Sequence, residues 1–235
     1  MYDELNIFDS MNKSQNKPII LFSIIYTLIL IFELIFDNTE SLKSFHYITK
    51  PLLVSSLIIF FLKQNPQHDS YAKKLVLSAL IFSLLGDIFL MFTETNSLFF
   101  IGGLLAFLTA HVMYILIFLK KRNNTKKALP FMLLLLVYAI GLFYFLKDGL
   151  GDLFIPVIIY MLVILMMVTT AFLREGSVTK NSYILVFLGA VFFITSDSLL
   201  ALNKFYCPLP LSGIWIMTTY AIAQFFIVLG LKKQE

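Results

Sequence analysis

Two aspartates lie where an apolar chain should carry no charge. Asp87 falls in Ser83-Leu84-Leu85-Gly86-Asp87-Ile88-Phe89-Leu90-Met91, inside an apolar run from about 75 to 92. Asp197 falls in Phe192-Phe193-Ile194-Thr195-Ser196-Asp197-Ser198-Leu199-Leu200, a second such run 110 residues further on. An ionised Asp near the centre of a membrane helix costs roughly 2.5–3.5 kcal/mol on insertion scales, so two of them need a reason. Two carboxylates in unlike surroundings can divide acid from base work. Burial favours the protonated form of one, and a nearby cation favours the ionised form of the other. Protonating one substrate atom while activating water on its other side is the logic of acetal hydrolysis.

Other chemistries fit less well. The chain has three His: His46 and His68 lie near or in loops, and His111 is alone in the interior. Cys207 is the single cysteine, which excludes a disulfide within the chain and a Cys-based metal site. A zinc site needs three protein ligands, most often including His, so neither a metal nor another cofactor is expected. A Ser-His-Asp triad can be drawn from Ser196, His111 and Asp87. Ser196 lacks a nucleophile-elbow setting, however, and His111 lies several residues deeper. There is no Gly-rich phosphate loop and no basic tract interleaved with aromatics, so nucleic-acid binding has no support.

The elements that must position these residues are membrane spans. Only 14% of the 235 residues are charged and 59% are hydrophobic, whereas a soluble domain carries about 25% charged residues. We count eight apolar segments, at about 18–36, 45–62, 74–92, 98–119, 128–146, 153–173, 182–202 and 211–231, each long enough to cross about 30 Å. The expected fold is therefore all-α and polytopic, with a polar N-terminal tail over 1–17 and an eight-helix transmembrane domain over 18–231. With both termini cytoplasmic, fourteen Lys and Arg fall in inner segments and three (Lys43, Lys147 and Lys204) in outer loops, while Lys50 sits within a span. Dropping the second span, the least apolar, would destroy this asymmetry. Pro18, Pro130 and Pro156 are expected in first turns, where a missing N–H matters little, and Pro51 lies deeper. Phe82 and Phe192 each precede their Asp by five residues, and Leu90 and Leu200 each follow by three. This spacing raises a parallel repeat of four plus four spans.

This topology sorts the polar residues by depth. Glu33, Lys50, Asp87, Tyr160 and Asp197 form a layer in the outer half of the membrane. His111 and Tyr114, one turn apart, and Tyr220 with Gln224, at i and i+4, form a deeper set. Together they outline a polar pocket opening outward. Each has a plainer alternative. Glu33 reaches the interface, Lys50 snorkels or neutralises an Asp, and His111 is a packed histidine. Ser196 bonds back to the previous turn, Gln224 joins helices, and the tyrosines mark interfaces.

The same residues resemble a known family. Lys50-Pro51-Leu52, Gly86-Asp87 with Leu90-Met91, Gly102 or Gly103, Phe107, Ala110-His111 with Tyr114, Ser196-Asp197-Ser198 with Leu200 and Phe205, and Tyr220 with Gln224 are similar to the pattern of the YhhN family of integral membrane proteins. The resemblance runs from about 18 to 231. That family includes the animal lysoplasmalogenases, so the resemblance implies a lysophospholipid substrate. The implied reaction is hydrolysis of its vinyl ether bond to a fatty aldehyde and a glycerophospho-alcohol. It implies Asp87 and Asp197 as acid and base, with Lys50, His111, Tyr114, Tyr160, Ser196, Tyr220 and Gln224 around the substrate. The expected location is multi-pass in a bacterial cytoplasmic membrane. Two other readings stay open: a proton-coupled transporter of a lipid or small molecule, and a structural partner protein whose carboxylates only pack helices.

Overall fold

The computed structural model describes residues 2–64 and 69–233, with side chains from Lys17 onward. Eight helices follow one another: α1 Tyr2–Asp37, α2 Lys43–Gln64, α3 Ser70–Met91, α4 Leu98–Lys120, α5 Leu129–Leu146, α6 Phe154–Phe172, α7 Lys180–Phe205 and α8 Ser212–Lys232. Each holds an apolar stretch long enough to span a bilayer, and no strand occurs among the described residues. Helices are what an apolar chain must form in lipid, because every backbone N–H and C=O has to find its partner within the segment.

Local signals set the helix ends. The Asp69 carboxylate caps α3 by accepting from the Ala72 N–H at 2.6 Å, and the Thr179 hydroxyl caps α7 by accepting from Ser182 at 3.3 Å. Pro130 lies in the first turn of α5 and Pro156 in that of α6. Three boundaries differ from expectation, the first being α3, which begins at Ser70 rather than 74 because Asp69 caps it there. Pro18 falls inside α1, because residues 2–17 contain no Gly or Pro and the helix has already begun upstream. Helix α7 runs to Phe205, three residues beyond the expected 202, because nothing breaks it before Pro208 and Pro210. Lys204 is therefore in its last turn rather than in a loop.

The most extensive packing joins α7 to α8 and α3 to α4, the pairs that carry the two aspartates. Small residues allow the close approach. A Cβ on Gly86 would meet the Phe107 ring at 2.6 Å, and one on Gly189 would meet the Ala223 carbonyl oxygen at 2.9 Å. Helices α4 and α8 are the most buried, and α1 and α5 leave most of their apolar surface facing outward, as lipid-facing helices do.

The two ends of the bundle are built differently. At one end, Lys120 pairs with Asp69 at 2.5 Å, Lys126 pairs with Glu175, and Lys232 donates to Gln64 at 2.6 Å. Arg174 is fully buried there and donates to the Ser182 hydroxyl at 3.2 Å. Burial lowers its guanidinium from the ordinary arginine value to about 10. The other end contains the start of α2 and the ends of α1 and α7, and it holds the polar cavities described next.

Candidate active site

The structure brings the expected site residues, Ser196 apart, into three clusters. The first is centred on Asp87, which is 2% exposed. The Tyr220 phenol donates to Asp87 Oδ2 at 2.8 Å. Gln224, one turn along α8, donates from Nε2 to the Tyr220 oxygen at 3.4 Å. Tyr114 of α4 donates to Gln224 Oε1 at 2.7 Å. Four expected residues thus form one buried chain of hydrogen bonds across α3, α8 and α4. The i, i+4 reading of Tyr220 and Gln224 gives the correct shared face.

The second cluster is centred on Asp197, whose side chain is 16% exposed. The Tyr160 phenol of α6 donates to Asp197 Oδ2 at 2.5 Å. His111 Nε2 lies 3.3 Å from the same oxygen and 3.0 Å from the Tyr160 oxygen. His111 Nδ1 is buried and has no hydrogen-bond partner among the described residues. A bare acceptor there costs less than an orphaned N–H, which assigns the proton of the neutral ring to Nε2, facing the carboxylate. His111 and Tyr114 therefore serve different clusters. Three residues along a helix still leave two side chains about 60° apart, enough to divide them. The triad drawn from Ser196, His111 and Asp87 is not assembled, because His111 meets Asp197.

Two rings stand between the clusters. Phe193 packs edge-on against His111 at 4.6 Å and against Tyr220 at 5.5 Å, centroid to centroid. Phe107 packs edge-on against Tyr220 at 5.7 Å and covers Gly86. Phe107 appears in the sequence pattern, but nothing in its apolar setting marks it as a partition.

Asp197 and Tyr160 line two cavities. One, a chamber of about 50 Å³, is bounded by Leu90, Phe100, Leu104, Phe107, Leu200 and Phe205. The other, a groove of about 40 Å³, runs between α5, α6 and α7 past Leu142, Leu146, Met161, Ile164 and Leu165. Val157 and Ala201 line both as well, so the aspartate stands at their junction. Across the second cavity the Tyr138 and Ser198 hydroxyls meet at 2.6 Å. Ser198 belongs to the Ser196-Asp197-Ser198 pattern, whereas Tyr138, on a lipid-facing helix, carries no signal in the sequence.

The third cluster is a polar vestibule of about 250 Å³, lined by Glu33, Asp37, Lys50, Asn203, Lys204 and Ser212. Leu90, Phe100 and Leu200 line both this vestibule and the first cavity beside Asp197. Glu33 is turned into the protein. It is 1% exposed, its Oε1 faces His46 Nδ1 at 2.7 Å, and its Oε2 accepts from the Thr49 hydroxyl. The sequence carries no signal for His46 and Thr49, which lie in the first turns of α2, or for Lys204, which falls in a loop if α7 ends at 202. Ser196 does not join a cluster: its hydroxyl donates to the Ile216 carbonyl at 2.9 Å and ties α7 to α8.

A charged vestibule thus adjoins an apolar chamber, which meets an apolar groove at Asp197. A model described as the YhhN family matches residues 45–231, which contain every cluster residue except Glu33 and Asp37. The chain is 32% identical over 193 residues to lysoplasmalogenase TMEM86B of Homo sapiens, covering 81% of this chain and 77% of that relative. It is 33% identical over 156 residues to lysoplasmalogenase TMEM86A of Bos taurus, covering 64% and 62%. It is 31% identical over 188 residues to lysoplasmalogenase TMEM86B of Sus scrofa, covering 79% and 75%. No solved structure matches the chain.

Proposed function

The chain belongs to the YhhN family, and from that premise we propose that it is a membrane-embedded lysolipid hydrolase that cleaves the vinyl ether bond of a lysoplasmalogen. The products are a fatty aldehyde and a glycerophospho-alcohol. The observation that carries the proposal is the position of Asp197, at the junction of an apolar groove and a chamber that adjoins a charged vestibule. The alkenyl chain lies in the groove, the headgroup in the vestibule, and the vinyl ether against Asp197.

The chemistry follows from the bond. Protonation of the vinyl ether at its β-carbon gives an oxocarbenium-like cation, water adds to the adjacent carbon, and the hemiacetal collapses to aldehyde and alcohol. One carboxylic acid supplies the proton, and one carboxylate stabilises the cation and takes a proton from water. Asp197 contacts the reacting atoms. Tyr160 and His111 fix its Oδ2 and direct the remaining oxygen at the bound substrate. Asp87 serves the other half of the cycle from behind Phe107. It lies one helical turn from Leu90, and its partner Tyr220 one turn from Met217, both of which line the vestibule. Lys50 meets the substrate phosphate. Tyr114 and Gln224 hold Tyr220 in place. The basic end of the bundle faces the cytoplasm of a bacterial cell and the vestibule faces out, following the distribution of Lys and Arg. The transporter reading loses ground because each of the eight spans is continuous, whereas carriers of this kind commonly break helices at the binding site.

The test is aldehyde release from a purified lysoplasmalogen. Asp87→Asn and Asp197→Asn are each expected to insert normally and to lose at least about a hundredfold in rate, the scale of a lost acid or base. Wild-type rates from either variant would remove that residue from the mechanism. Transport into proteoliposomes with no aldehyde formed would replace the hydrolase by a carrier.

A further inference from the structure

The vestibule holds two acids and two lysines, and the acids are already engaged. Glu33 is buried with one oxygen on His46 and the other on Thr49. Asp37 Oδ1 lies 3.5 Å from the same His46 nitrogen. Its Oδ2 packs against the first turn of α8, where a Cβ on Gly213 would lie 2.9 Å away. The start of a helix carries partial positive charge and favours a carboxylate there. Both acids thus answer to protein groups.

The lysines do not. Lys50 comes from α2 and Lys204 from the last turn of α7, and both line the same cavity. Among the described residues no carboxylate lies within ion-pair distance of either ammonium. The Lys204 ammonium stands 5.4 Å over the ring of Phe100, which also lines the chamber beside Asp197. Two unpaired cations from opposite helices, above an apolar chamber, match a phosphate attached to a chain that continues inward. A lysine ammonium is a compact point charge that suits phosphate without requiring one fixed geometry.

We infer that the vestibule is a phosphate site with Lys50 and Lys204 as its two arms, and that it reads the phosphate of a lysolipid but not the alcohol beyond it. This rests on the hydrolase reading above and deepens it. The substrate class becomes 1-alkenyl glycerophospholipids with any small headgroup, amine-bearing or not. The engaged acids leave no free carboxylate to select a headgroup ammonium.

The test uses the full-length protein and three lipids with one alkenyl chain: the phosphoethanolamine, the phosphoglycerol and the phosphate-free 1-alkenylglycerol. Binding of the saturated 1-O-alkyl analogues, which cannot release aldehyde, is measured in parallel. Wild type is expected to treat the two phospholipids alike, within about threefold, and to bind the phosphate-free lipid at least about tenfold more weakly. Lys204→Gln is expected to raise KM and Kd for both phospholipids by about tenfold with little change in kcat. The same variant leaves the phosphate-free lipid unaffected, and Lys204→Arg restores phospholipid binding. Inorganic phosphate, lacking the chain, is not expected to compete at millimolar concentration. Equal binding of all three lipids overturns the phosphate site. A tenfold preference for ethanolamine over glycerol overturns the indifference to the amine and assigns that group to Asp37. Competition by inorganic phosphate makes this a site for the free ion and overturns the lipid assignment. Because binding is read on unreactive analogues, absence of aldehyde would count against the hydrolase reading while the lysine arms are still tested.

Discussion

Asp87 and Asp197 sit on α3 and α7, each within one of the two most extensive helix pairs, and each follows a small or hydroxyl residue in an otherwise apolar run. Their surroundings diverge. Asp87 is sealed, with a phenol on Oδ2 and a chain of hydrogen bonds running through Gln224 to Tyr114. Asp197 opens on two cavities and shares its Oδ2 between Tyr160 and His111. What separates the two is the pair of rings at Phe107 and Phe193, not the helices that carry the acids. A carboxylate buried among fixed donors is a costly group to disturb, whereas one at a cavity edge is free to react.

The largest expected effect breaks the open centre. Asp197→Asn should lower aldehyde release by about a hundredfold or more while changing stability by less than about 1 kcal/mol, because an amide can still accept from Tyr160 beside a cavity. The comparison is between turnover and the thermal midpoint in detergent. A fall in stability as large as the fall in rate would mean that Asp197 holds the fold together rather than contacting the reacting atoms.

The next largest effect breaks the closed centre. Asp87→Ala leaves the Tyr220 hydroxyl without an acceptor in a site that is 2% exposed. An unsatisfied buried donor costs about 1–3 kcal/mol, and the cavity adds to this. Asp197→Ala, with a partly exposed side chain, should cost less than about 1 kcal/mol by the same measure. Equal shifts in chemical or thermal unfolding of the two variants would erase the distinction between sealed and open.

How much of this difference could be read beforehand is instructive. The eight spans follow from apolar length alone, because a helix in lipid has no alternative partner for its backbone. The aspartates stand out because charge is expensive there, and Tyr220 with Gln224 follow from spacing on one helix. Depth along a helix, however, says nothing of azimuth between helices. Glu33, Lys50, Asp87, Tyr160 and Asp197 are expected at similar depth yet belong to three clusters. His111 looked isolated because its partners are 49 and 86 residues away. The partition at Phe107 and Phe193 was illegible for a simpler reason: among 25 phenylalanines no one ring announces what it separates.

A smaller effect should come from the partition itself. A methyl at Gly86 would meet the Phe107 ring at 2.6 Å. The ring must turn away, which is a local overpacking of about 1–3 kcal/mol, at the low end here because an aromatic side chain rather than backbone gives way. Gly86→Ala should therefore fold, with a moderately lower midpoint. It should also make Asp87 accessible, seen as faster hydrogen exchange at Tyr220 and its neighbours on α8. Unchanged exchange would show that Phe107 is not what seals Asp87.

The smallest effect lies at the far side of the open centre. Ser198 has one hydroxyl proton and donates it to the Ile194 carbonyl at 2.6 Å, so Tyr138 must be the donor in the 2.6 Å contact between their oxygens. That bond crosses the groove from α5 to α7, and the 41% of Tyr138 that is exposed lies on the lipid-facing side of α5. Tyr138→Phe should cost about 0.5 kcal/mol of stability and raise KM for a long-chain lysolipid about two- to threefold, the worth of one weak hydrogen bond. The groove binds a chain by apolar contact along its length, so one hydroxyl at its wall shifts affinity slightly and leaves the chemistry at Asp197 in place. A loss in kcat comparable to that of Asp197→Asn would mean instead that the reactive region extends along the groove to α5. The boundary between open and closed would then lie a helix away from where Phe107 and Phe193 draw it.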